Sequence, residues 1–456
     1  MSGRPYRHTR DRHAPALFPL ACIALTAVLL LTACGGSDAT PPEQTPTPAT
    51  ASQTPSGVGD TPLRIVVQPY SGDLPSDTIG RQLIDVTSGS SVPLSCLEQA
   101  RAQHDDRPTF GFVCGSDPEW LIAGQARVVG DRVEVTQAFR LQGFGGDADQ
   151  GRWLIQVAGW AQDARRLALR TEPVSPTMDM DRADASELYV FDSQSGRLSR
   201  LFGTRGLISY AEWSPQGDRL VVAYREPLSR IAIVPVEGGP PSNVQAPTNV
   251  ELMLASSCRD LFRVSCWSPD GSFVALERVG ANWPEGIYVT TADGSRLQAV
   301  VEGQARFVQW GPDSKSLLAL VGEVGRAREL QVRYLDGRAP VRLGEAWSAS
   351  WSPDGRLIAY TRGTCEMQEL VLADLSAGAS RVVATRLGAV LGFVWSPRGD
   401  ILALSSLGRP TDNTGLLLIQ PSGGAVRRLS TDPMLVRWTP TGVRLIAVPF
   451  VGDQCT

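Results

Sequence analysis

Beyond residue 62, apolar residues come in short runs separated by turn-forming residues. The run Arg356–Tyr360, with the sequence Arg-Leu-Ile-Ala-Tyr, is typical of them. Runs of roughly four to eight residues bounded by Gly, Pro, Asp and Ser predict β-strands, and no long stretch repeats with the period of an amphipathic helix. The pattern therefore predicts an all-β protein.

One phrase, Trp-Ser-Pro-Asp-Gly or a close variant, precedes many of these runs. Successive copies are separated by between 41 residues (Trp310 to Trp351) and 54 residues (Trp213 to Trp267), close to the length of a propeller blade. Ser, Pro, Asp and Gly in this order suit a type I turn between two strands, and we expect the Trp rings to be buried as structural residues. The copies begin at Trp160 (a weaker copy), Trp213, Trp267, Trp310, Trp351, Trp395 and Trp438.

A second hairpin follows several of the phrases, and two hairpins make a four-stranded blade. These hairpins are predicted at 188–196, 286–294, 330–337 and 416–423.

The two ends of the repeat region complement each other. After Trp438 there is one strand, Arg444–Pro449, and then only seven residues, so the last blade is incomplete. Leu83–Leu94 aligns with the outer hairpin Val190–Leu201 but has no Trp phrase before it. We therefore predict that this N-terminal hairpin completes the C-terminal blade and closes the ring.

The stretch between Leu94 and Trp160 is too long for a loop and predicts one further blade. Its strands are expected at 109–113, 120–124, 126–129 and 132–136, with a hairpin turn at Gly130-Asp131. Eight blades are then favoured, and seven are the alternative. Because Cys96 and Cys114 would lie near opposite ends of a strand in the eight-blade arrangement, a disulfide between them would favour an insertion instead.

The repeats resemble the TolB-type, WD-like β-propellers of bacterial envelopes, whose blades carry Trp-Ser-Pro-Asp-Gly followed by an apolar strand. The resemblance covers roughly residues 160–448. It implies the fold and leaves the function open, because such propellers serve as docking platforms, as non-catalytic domains of peptidases and in some cases as enzymes.

The N-terminus has the pattern of an export signal. Four arginines precede a short apolar run, Leu17–Leu31, which is followed by Leu-Thr-Ala-Cys34. The run is shorter than the roughly 20 residues of a spanning helix, and its end is similar to the lipobox of bacterial lipoproteins. That resemblance implies cleavage before Cys34 and lipidation of its sulfur; the alternative is a secreted protein with a chance cysteine. We predict a signal peptide (1–33), a lipidated Cys with a Pro/Thr/Ser-rich disordered tether (34–62) and one propeller (63–456).

Composition narrows the function classes. The chain has a formal net charge of −4, which argues against nucleic acid as a partner. His104 is the only histidine after residue 33, and we find no phosphate-binding loop, nucleophile elbow or Cys-x-x-Cys. These features predict a protein that is not an enzyme and that needs no cofactor and no metal. His104 beside Asp105 and Asp106 is interpreted as a surface histidine in a polar loop.

Six cysteines remain in an exported chain after the signal and Cys34 are set aside, which suggests disulfides. We favour pairing of near neighbours, Cys96 with Cys114 and Cys258 with Cys266, which leaves Cys365 with Cys455.

Recognition is expected on the side of the propeller that carries the strand 2–strand 3 loops and the blade-to-blade connections, which we call the loop face. Its long segments include 178–184, 279–285, 408–413 and 241–263. The function predicted is a membrane-tethered, non-catalytic module in the periplasm or on the outer side of the cytoplasmic membrane, docking a protein or glycan. The alternative is a lactonase- or lyase-type propeller enzyme that uses a metal and channel carboxylates. The candidate binding residues are Asp179, Asp181, Asp184, Trp283, Arg409 and Asp412.

Overall fold

The structure is a computed structural model. It describes residues 65–450 except for the following short segments: 72–73, 75–81, 94, 105–106, 116–119, 144–152, 174–185, 227, 249, 260–263, 280–284, 324–327, 365 and 409–412.

Almost all of the elements are short strands. The N-terminal part contains β1 (Ile65–Pro69), β2 (Gln82–Asp85), β3 (Ser91–Pro93), α1 (Cys96–Gln103), β4 (Thr109–Cys114), β5 (Trp120–Val129) and β6 (Arg132–Gly143). Then come β7 (Trp153–Trp160), β8 (Arg166–Pro173), β9 (Ser186–Asp192), β10 (Arg197–Thr204), β11 (Leu207–Trp213), β12 (Arg219–Glu226), β13 (Leu228–Pro235) and β14 (Ser242–Asn243). The next group is β15 (Leu252–Leu254), α2 (Ser256–Arg259), β16 (Phe273–Arg278), β17 (Gly286–Thr291), β18 (Leu297–Glu302), β19 (Ala305–Trp310), β20 (Ser316–Val321), β21 (Arg328–Tyr334) and β22 (Val341–Ala346). The last group is β23 (Ser348–Trp351), β24 (Leu357–Gly363), β25 (Gln368–Asp374), β26 (Ala379–Leu387), β27 (Ala389–Trp395), β28 (Leu402–Leu407), β29 (Gly415–Ile419), β30 (Val426–Ser430), β31 (Met434–Trp438) and β32 (Arg444–Pro449).

The described strands form eight four-stranded antiparallel blades arranged in a ring. This confirms the prediction of an all-β, eight-bladed propeller, and the seven-blade alternative is wrong. The first strands of neighbouring blades, such as β19 and β23, contact each other and are therefore the inner strands. The blades are blade 1 (β4, β5, β6 and β1), blade 2 (β7–β10), blade 3 (β11–β14), blade 4 (β15–β18), blade 5 (β19–β22), blade 6 (β23–β26), blade 7 (β27–β30) and blade 8 (β31, β32, β2 and β3).

The N-terminal segment closes the ring on both sides of the junction between blades 8 and 1. β2 pairs with β32, with Leu83 opposite Ile446, and β3 completes the sheet, which confirms the predicted closure. β1 pairs with β6, with Ile65 opposite Gly143, and supplies the outer strand of blade 1. This second pairing was not predicted from the sequence.

The strand prediction for blade 1 was partly wrong. The segments 120–124 and 126–129 form one strand, β5, with a bulge after Gln125. Gln125 is the polar residue that interrupts the apolar run. Its side-chain amide donates to the Ala164 carbonyl (3.2 Å) and to the Ser193 hydroxyl (2.6 Å) of blade 2. The fourth strand is therefore β1, and the predicted turn at Gly130-Asp131 lies between β5 and β6.

The inner strand of blade 1 also runs in the direction opposite to the inner strand of blade 2. The side of the ring that carries the Trp-phrase turns is called the turn face here. The Gly111 amide near the start of β4 donates to the Ala164 carbonyl (2.7 Å), which lies in the turn after Trp160. β4 therefore begins at the turn face, whereas β7 and β11 end there.

Helix α1 explains how the disulfide Cys96–Cys114 is compatible with eight blades. The helix packs against β4, and its first residue, Cys96, lies 5.4 Å (Cα to Cα) from Cys114 at the end of that strand. The expectation that this disulfide would indicate an insertion was wrong, because a helix that runs back along the strand brings the two ends together. The pairings Cys96–Cys114 and Cys258–Cys266 are both confirmed.

The phrase tryptophans connect successive blades. The indole N–H of Trp213 donates to the Gly159 carbonyl (2.9 Å), and that of Trp310 donates to the Cys266 carbonyl (2.8 Å). In each case the acceptor carbonyl belongs to the residue immediately before the phrase Trp of the preceding blade. Trp267, Trp395 and Trp438 make the equivalent bond. Trp160 is half-buried, and the other six phrase tryptophans are buried.

Candidate functional site on the loop face

The candidate binding residues lie outside the described part of the chain. The same is true of the lipidation site and of the third cysteine pair, so these predictions stay predictions. The residues concerned are Asp179, Asp181, Asp184, Trp283, Arg409, Asp412, Cys34, Cys365 and Cys455.

The inner strand of blade 4 is interrupted after Ala255 and resumes at Cys266; the described residues between them, 256–259 and 264–265, are called the excursion here. The Ala255 amide donates to the Ala275 carbonyl, and the Ala275 amide donates to the Cys266 carbonyl. The chain therefore leaves the inner strand after Ala255 and rejoins it at Cys266, and both of these residues bond to Ala275 of the neighbouring strand. The disulfide Cys258–Cys266 joins the two sides of the excursion. The cysteines are fully buried, so this disulfide holds the excursion in place.

Neighbouring blades hold the same excursion. The Tyr210 hydroxyl of blade 3 donates to the Cys258 carbonyl (3.0 Å), and the Ser257 hydroxyl donates to the Phe307 carbonyl of blade 5 (2.6 Å). The Glu212 carboxylate accepts from the Ser265 hydroxyl (2.6 Å). The excursion therefore bridges the inner strands of three consecutive blades.

Glu277 is a buried carboxylate beneath the excursion. Its two oxygens accept the amide N–H groups of Ser256 and Phe307, each at 2.8 Å. Burial raises the pKa of Glu277, while these two amide groups act in the opposite direction. Because both oxygens accept from the backbone, the side chain fixes the start of α2 to blade 5.

A second buried carboxylate lies at the loop-face end of blade 2. Glu187 forms an ion pair with Arg200 (3.0 Å) and accepts the Tyr189 hydroxyl. Both Glu187 and Arg200 are largely buried. These described carboxylates act as internal acceptors that hold strands together.

The loop face of blade 3 differs from that of the other blades because its fourth strand is very short. β14 pairs only with Ala232 and Ile233 of β13, and the Val244 amide adds one bond to the Ile231 carbonyl. In blade 2, by contrast, every residue of β9 has a partner in β10. Among the described residues, no strand pairs with the outer side of Leu228–Arg230, which we call the open edge.

A cleft of about 180 Å³ lies beside the open edge. Its walls are mixed: apolar side chains alternate with the polar groups of Ser229, Arg230, Gln245 and Glu251. Glu251 accepts the Ser229 amide from across the cleft (2.8 Å). The lining residues are Leu228–Ile231, Val244–Pro247 and Val250–Leu252.

Two exposed leucines lie at the loop-face end of blade 3, and one of them, Leu228, lines the cleft. Leu228 is 57% exposed and Leu207, at the start of β11, is 45% exposed; they are the two exposed leucines among the described residues. The neighbouring Arg225 and Arg230 are exposed. Exposed leucines and a cleft held on a rigid scaffold are suited to recognition.

Sequence reasoning missed this site. The stretch 241–263 was identified as a long loop-face segment, but the open edge was not. The available signal was Pro247, which would stand opposite Leu228 if β14 continued in the same register, because proline cannot donate to a strand ladder.

His104 is less exposed than the sequence suggested. It caps the C-terminus of α1, is half-buried and stacks on Phe110, with ring centroids 6.1 Å apart. Burial, together with the charges of Arg107 and Arg437, lowers the pKa of His104 to about 4. The interpretation as an exposed histidine in a polar loop was therefore wrong, and His104 is neutral at pH 7.

The described residues contain no metal-binding cluster and no membrane-spanning helix. In that part of the chain, no three His, Cys, Asp or Glu side chains come together as a set able to hold a metal ion. The described helices include none with the length and apolar character needed to cross a membrane.

Comparison with known proteins gives matches at the level of architecture. No protein-family model matches the chain. TolB from Acinetobacter baumannii is 12% identical, with a TM-score of 0.34 over 78% of this chain and 82% of that chain. An oligogalacturonate lyase in complex with manganese is 13% identical, with a TM-score of 0.44 over 66% of this chain and 95% of that chain. Dipeptidyl peptidase 4 from Porphyromonas gingivalis is 10% identical, with a TM-score of 0.49 over 80% of this chain and 55% of that chain. TolB-type propellers are thus among the structural neighbours of this chain, and matches at this level assign it no activity or partner.

Proposed function

We propose that the protein is a lipid-anchored, non-catalytic binding module on the outer side of the cytoplasmic membrane or in the periplasm. Its loop face docks a protein or a glycan. The observation that carries this proposal is the loop face of blade 3, where Leu207 and Leu228 are exposed and Leu228 lines a cleft on a closed ring.

The rigidity of the ring supports this role. The N-terminal segment closes it on both sides of the blade 8–blade 1 junction, and the indole N–H groups connect successive blades. Loops and edges held on such a scaffold lose little conformational entropy when a partner binds.

The lipid anchor is supported by Leu-Thr-Ala-Cys34 and the tether that follows it. Its test is expression of the full chain and of Cys34→Ala in a bacterium fed an alkyne-tagged fatty acid. We expect the tag on the native chain and its loss in Cys34→Ala; equal labelling of both would contradict the anchor.

Docking is tested by placing a photo-reactive amino acid at Leu207, Leu228 or Arg398 of the full chain in intact cells. Arg398 is an exposed turn-face residue and serves as the matched control. We expect a discrete adduct, protein or glycan, at the two leucines and none at Arg398. Equal adduct formation at all three positions, or none at the leucines, would contradict docking at the loop face.

The enzyme alternative predicts a stoichiometric divalent ion that only a chelator removes. Metal analysis of the purified mature chain decides between the binding module and the enzyme, because we expect no such ion in a binding module.

A further inference from the structure

We propose that a second cleft on the loop face, between blades 5 and 6, binds one sugar unit of a neutral glycan. This cleft lies between β22 and β24 and is called the blade 5–6 cleft here. The inference rests on the proposed function, because it places recognition on the loop face, and it adds a contact area whose ligand is a glycan. The lining residues are Leu343–Glu345, Tyr360, Arg362 and Gly363.

A bulge followed by a glycine creates this cleft. The pairing of β21 with β22 shifts between Leu330 and Gln331, which leaves Leu343 without a direct partner and places Gly344 opposite Leu330. Gly344 has a φ of +98°, and a Cβ at this position would meet no heavy atom within 4 Å apart from its chain neighbours. The residue after the bulge therefore leaves open space beside blade 6.

The equivalent position in blade 2 is filled by a ring. Phe202 follows the bulge of β10 and stands opposite Leu188, as Gly344 stands opposite Leu330. Phe202 packs against Tyr224 of blade 3, with ring centroids 5.3 Å apart. The space that is open at Gly344 is therefore occupied by an aromatic ring at the junction of blades 2 and 3.

An arginine replaces the second ring of this contact in blade 6. Tyr224 lies eleven residues after the phrase Trp213, and the residue eleven after the phrase Trp351 is Arg362. Arg362 lines the cleft, and its Nε (3.3 Å) and Nη2 (3.2 Å) donate to one oxygen of Glu369. Its side chain is 48% exposed, and a guanidinium has five N–H donors, so Arg362 retains donors for a ligand.

Trp347 borders the cleft. It follows β22 at the loop face, and its indole N–H donates to the carbonyl of Gly363 (2.8 Å), which is a lining residue. Trp347 is half-buried, unlike the six buried phrase tryptophans, so part of its ring is accessible. An indole held by its polar edge offers an apolar ring face, and the C–H face of a sugar ring stacks on such a surface.

The charges and polarity of the cleft select a neutral, hydroxyl-rich ligand. Two carboxylates accompany Arg362: Glu345 lines the cleft and is exposed, and Glu369 forms the ion pair. One cation with two carboxylates disfavours an anion, and the guanidinium disfavours a cation. Hydroxyl groups both donate and accept, so they match this set of donors and acceptors. A sugar unit combines such hydroxyls with an apolar ring face for Trp347.

The size of the cleft agrees with this ligand. Its volume is about 510 Å³, which lies within the range of small-molecule sites, ~300–1,000 Å³. The cleft therefore has room for one sugar unit, and the remainder of the glycan extends over the loop face.

The test begins with the mature chain, residues 35–456, on an array of short neutral gluco-, galacto- and manno-oligosaccharides. Matching oligosaccharides that contain uronate units serve as anionic comparators. The Kd of the best ligand is then measured by titration calorimetry. We expect a neutral oligosaccharide to bind and its uronate counterpart to bind more weakly, because the cleft has more carboxylates than guanidinium groups.

Trp347→Ala is expected to weaken binding by about tenfold or more, the range of a tryptophan at the centre of a binding site. Trp120→Ala is the matched control. Trp120 is also half-buried at the loop-face end of a strand, but the guanidinium of Arg140 covers its ring (5.0 Å to the centroid). We expect this control to leave the Kd unchanged.

Arg362→Ala is expected to weaken binding by about tenfold, the range of one hydrogen bond to a charged group. Its matched control is Arg127→Ala in blade 1. Arg127 makes the same type of pair, with Nε (3.1 Å) and Nη2 (2.9 Å) both donating to one oxygen of Glu134. We expect the control to leave the Kd unchanged, and a melting curve of each variant shows that the ring is intact.

Hydroxyl-radical footprinting gives a readout that a purely structural role of Trp347 would not produce. We expect the bound oligosaccharide to protect Trp347 from oxidation and to leave the oxidation of Trp120 unchanged.

Four outcomes would overturn the inference: binding of no neutral oligosaccharide, tighter binding of the uronate counterpart, equal effects of Trp347→Ala and Trp120→Ala, or no protection of Trp347 by the bound ligand. If any of these occurs while the loop-face adducts at Leu207 and Leu228 still form in cells, the proposed function stands and only the glycan site fails. Absence of those adducts contradicts the proposed function itself.

Discussion

Protonation of His104 gives the sharpest test of the packing between α1 and blade 1. The native pKa of this imidazole is about 4, because burial and the charges of Arg107 and Arg437 disfavour its cation, whereas the ordinary value is 6.5. The unfolded chain therefore binds more protons than the native chain below pH 6.5. Stability is fully present above pH 6.5 and decreases as the pH falls from there toward 4.

The size of this loss follows from the two pKa values. At pH 5 the unfolded histidine lies about 1.5 pH units below its pKa while the native one is still neutral. At 1.36 kcal/mol per unit this amounts to about 2 kcal/mol lost relative to pH 7.5.

The assay is urea denaturation of residues 35–456, followed by tryptophan fluorescence at pH 7.5 and pH 5. His104→Gln is the matched control, because it cannot titrate and is expected to lose about 2 kcal/mol less between the two pH values. Since His104 is the only histidine in this part of the chain, its C2 proton gives a single NMR titration. A native midpoint near 6.5, or the same pH dependence in His104→Gln, would refute the burial argument.

Three further predictions concern the core and the cysteines. Glu277→Gln places an amide NH₂ group against a backbone donor, so we expect the free energy of unfolding, measured by urea denaturation, to decrease by about 1–3 kcal/mol. The matched control is Glu302→Gln, an exposed position in the same blade, for which we expect a decrease of less than about 0.5 kcal/mol. Equal effects of the two substitutions would contradict the role of Glu277 as a double acceptor. Trp310→Phe removes the hydrogen bond from the indole N–H to the Cys266 carbonyl and part of a buried ring. We therefore expect the free energy of unfolding to decrease by about 2 kcal/mol. An unchanged free energy would mean that this hydrogen bond contributes nothing to stability. Pairing of Cys365 with Cys455 predicts no free thiol in the unreduced, denatured chain 35–456, and two reactive thiols would contradict it.

Local chemistry is sufficient to explain why much of the fold was predictable. The Trp phrase contains its own turn: in the copy at Trp351, the Gly355 amide donates to the Ser352 carbonyl (2.9 Å), and Asp354 accepts the Ser352 hydroxyl (2.5 Å). These contacts span only a few residues, so residue type and order determine them. The phrase spacing then accounts for seven of the eight blades, and blade 1, which has no Trp phrase, follows from the length of the stretch between Leu94 and Trp160.

The site was less predictable because its parts come from different blades. Leu228 and Glu251 belong to blades 3 and 4, and Gln125 of blade 1 finds its acceptors in blade 2. Nothing in the local pattern around these residues specifies their partners. The candidates chosen from sequence were loop residues, while the structure places the exposed leucines at the ends of strands.

The sequence by itself determined the all-β class and the closure by Leu83–Leu94, and it favoured eight blades over seven and the two near-neighbour disulfides. Turn chemistry, strand period and near-neighbour cysteines all act over short distances along the chain. Only the tertiary structure decided that β1 completes blade 1, that α1 brings Cys96 to Cys114, and that β14 leaves Leu228–Arg230 open. Each of these depends on which backbone edge or buried surface remains unpaired once the ring has formed, and that is a property of the assembled blades.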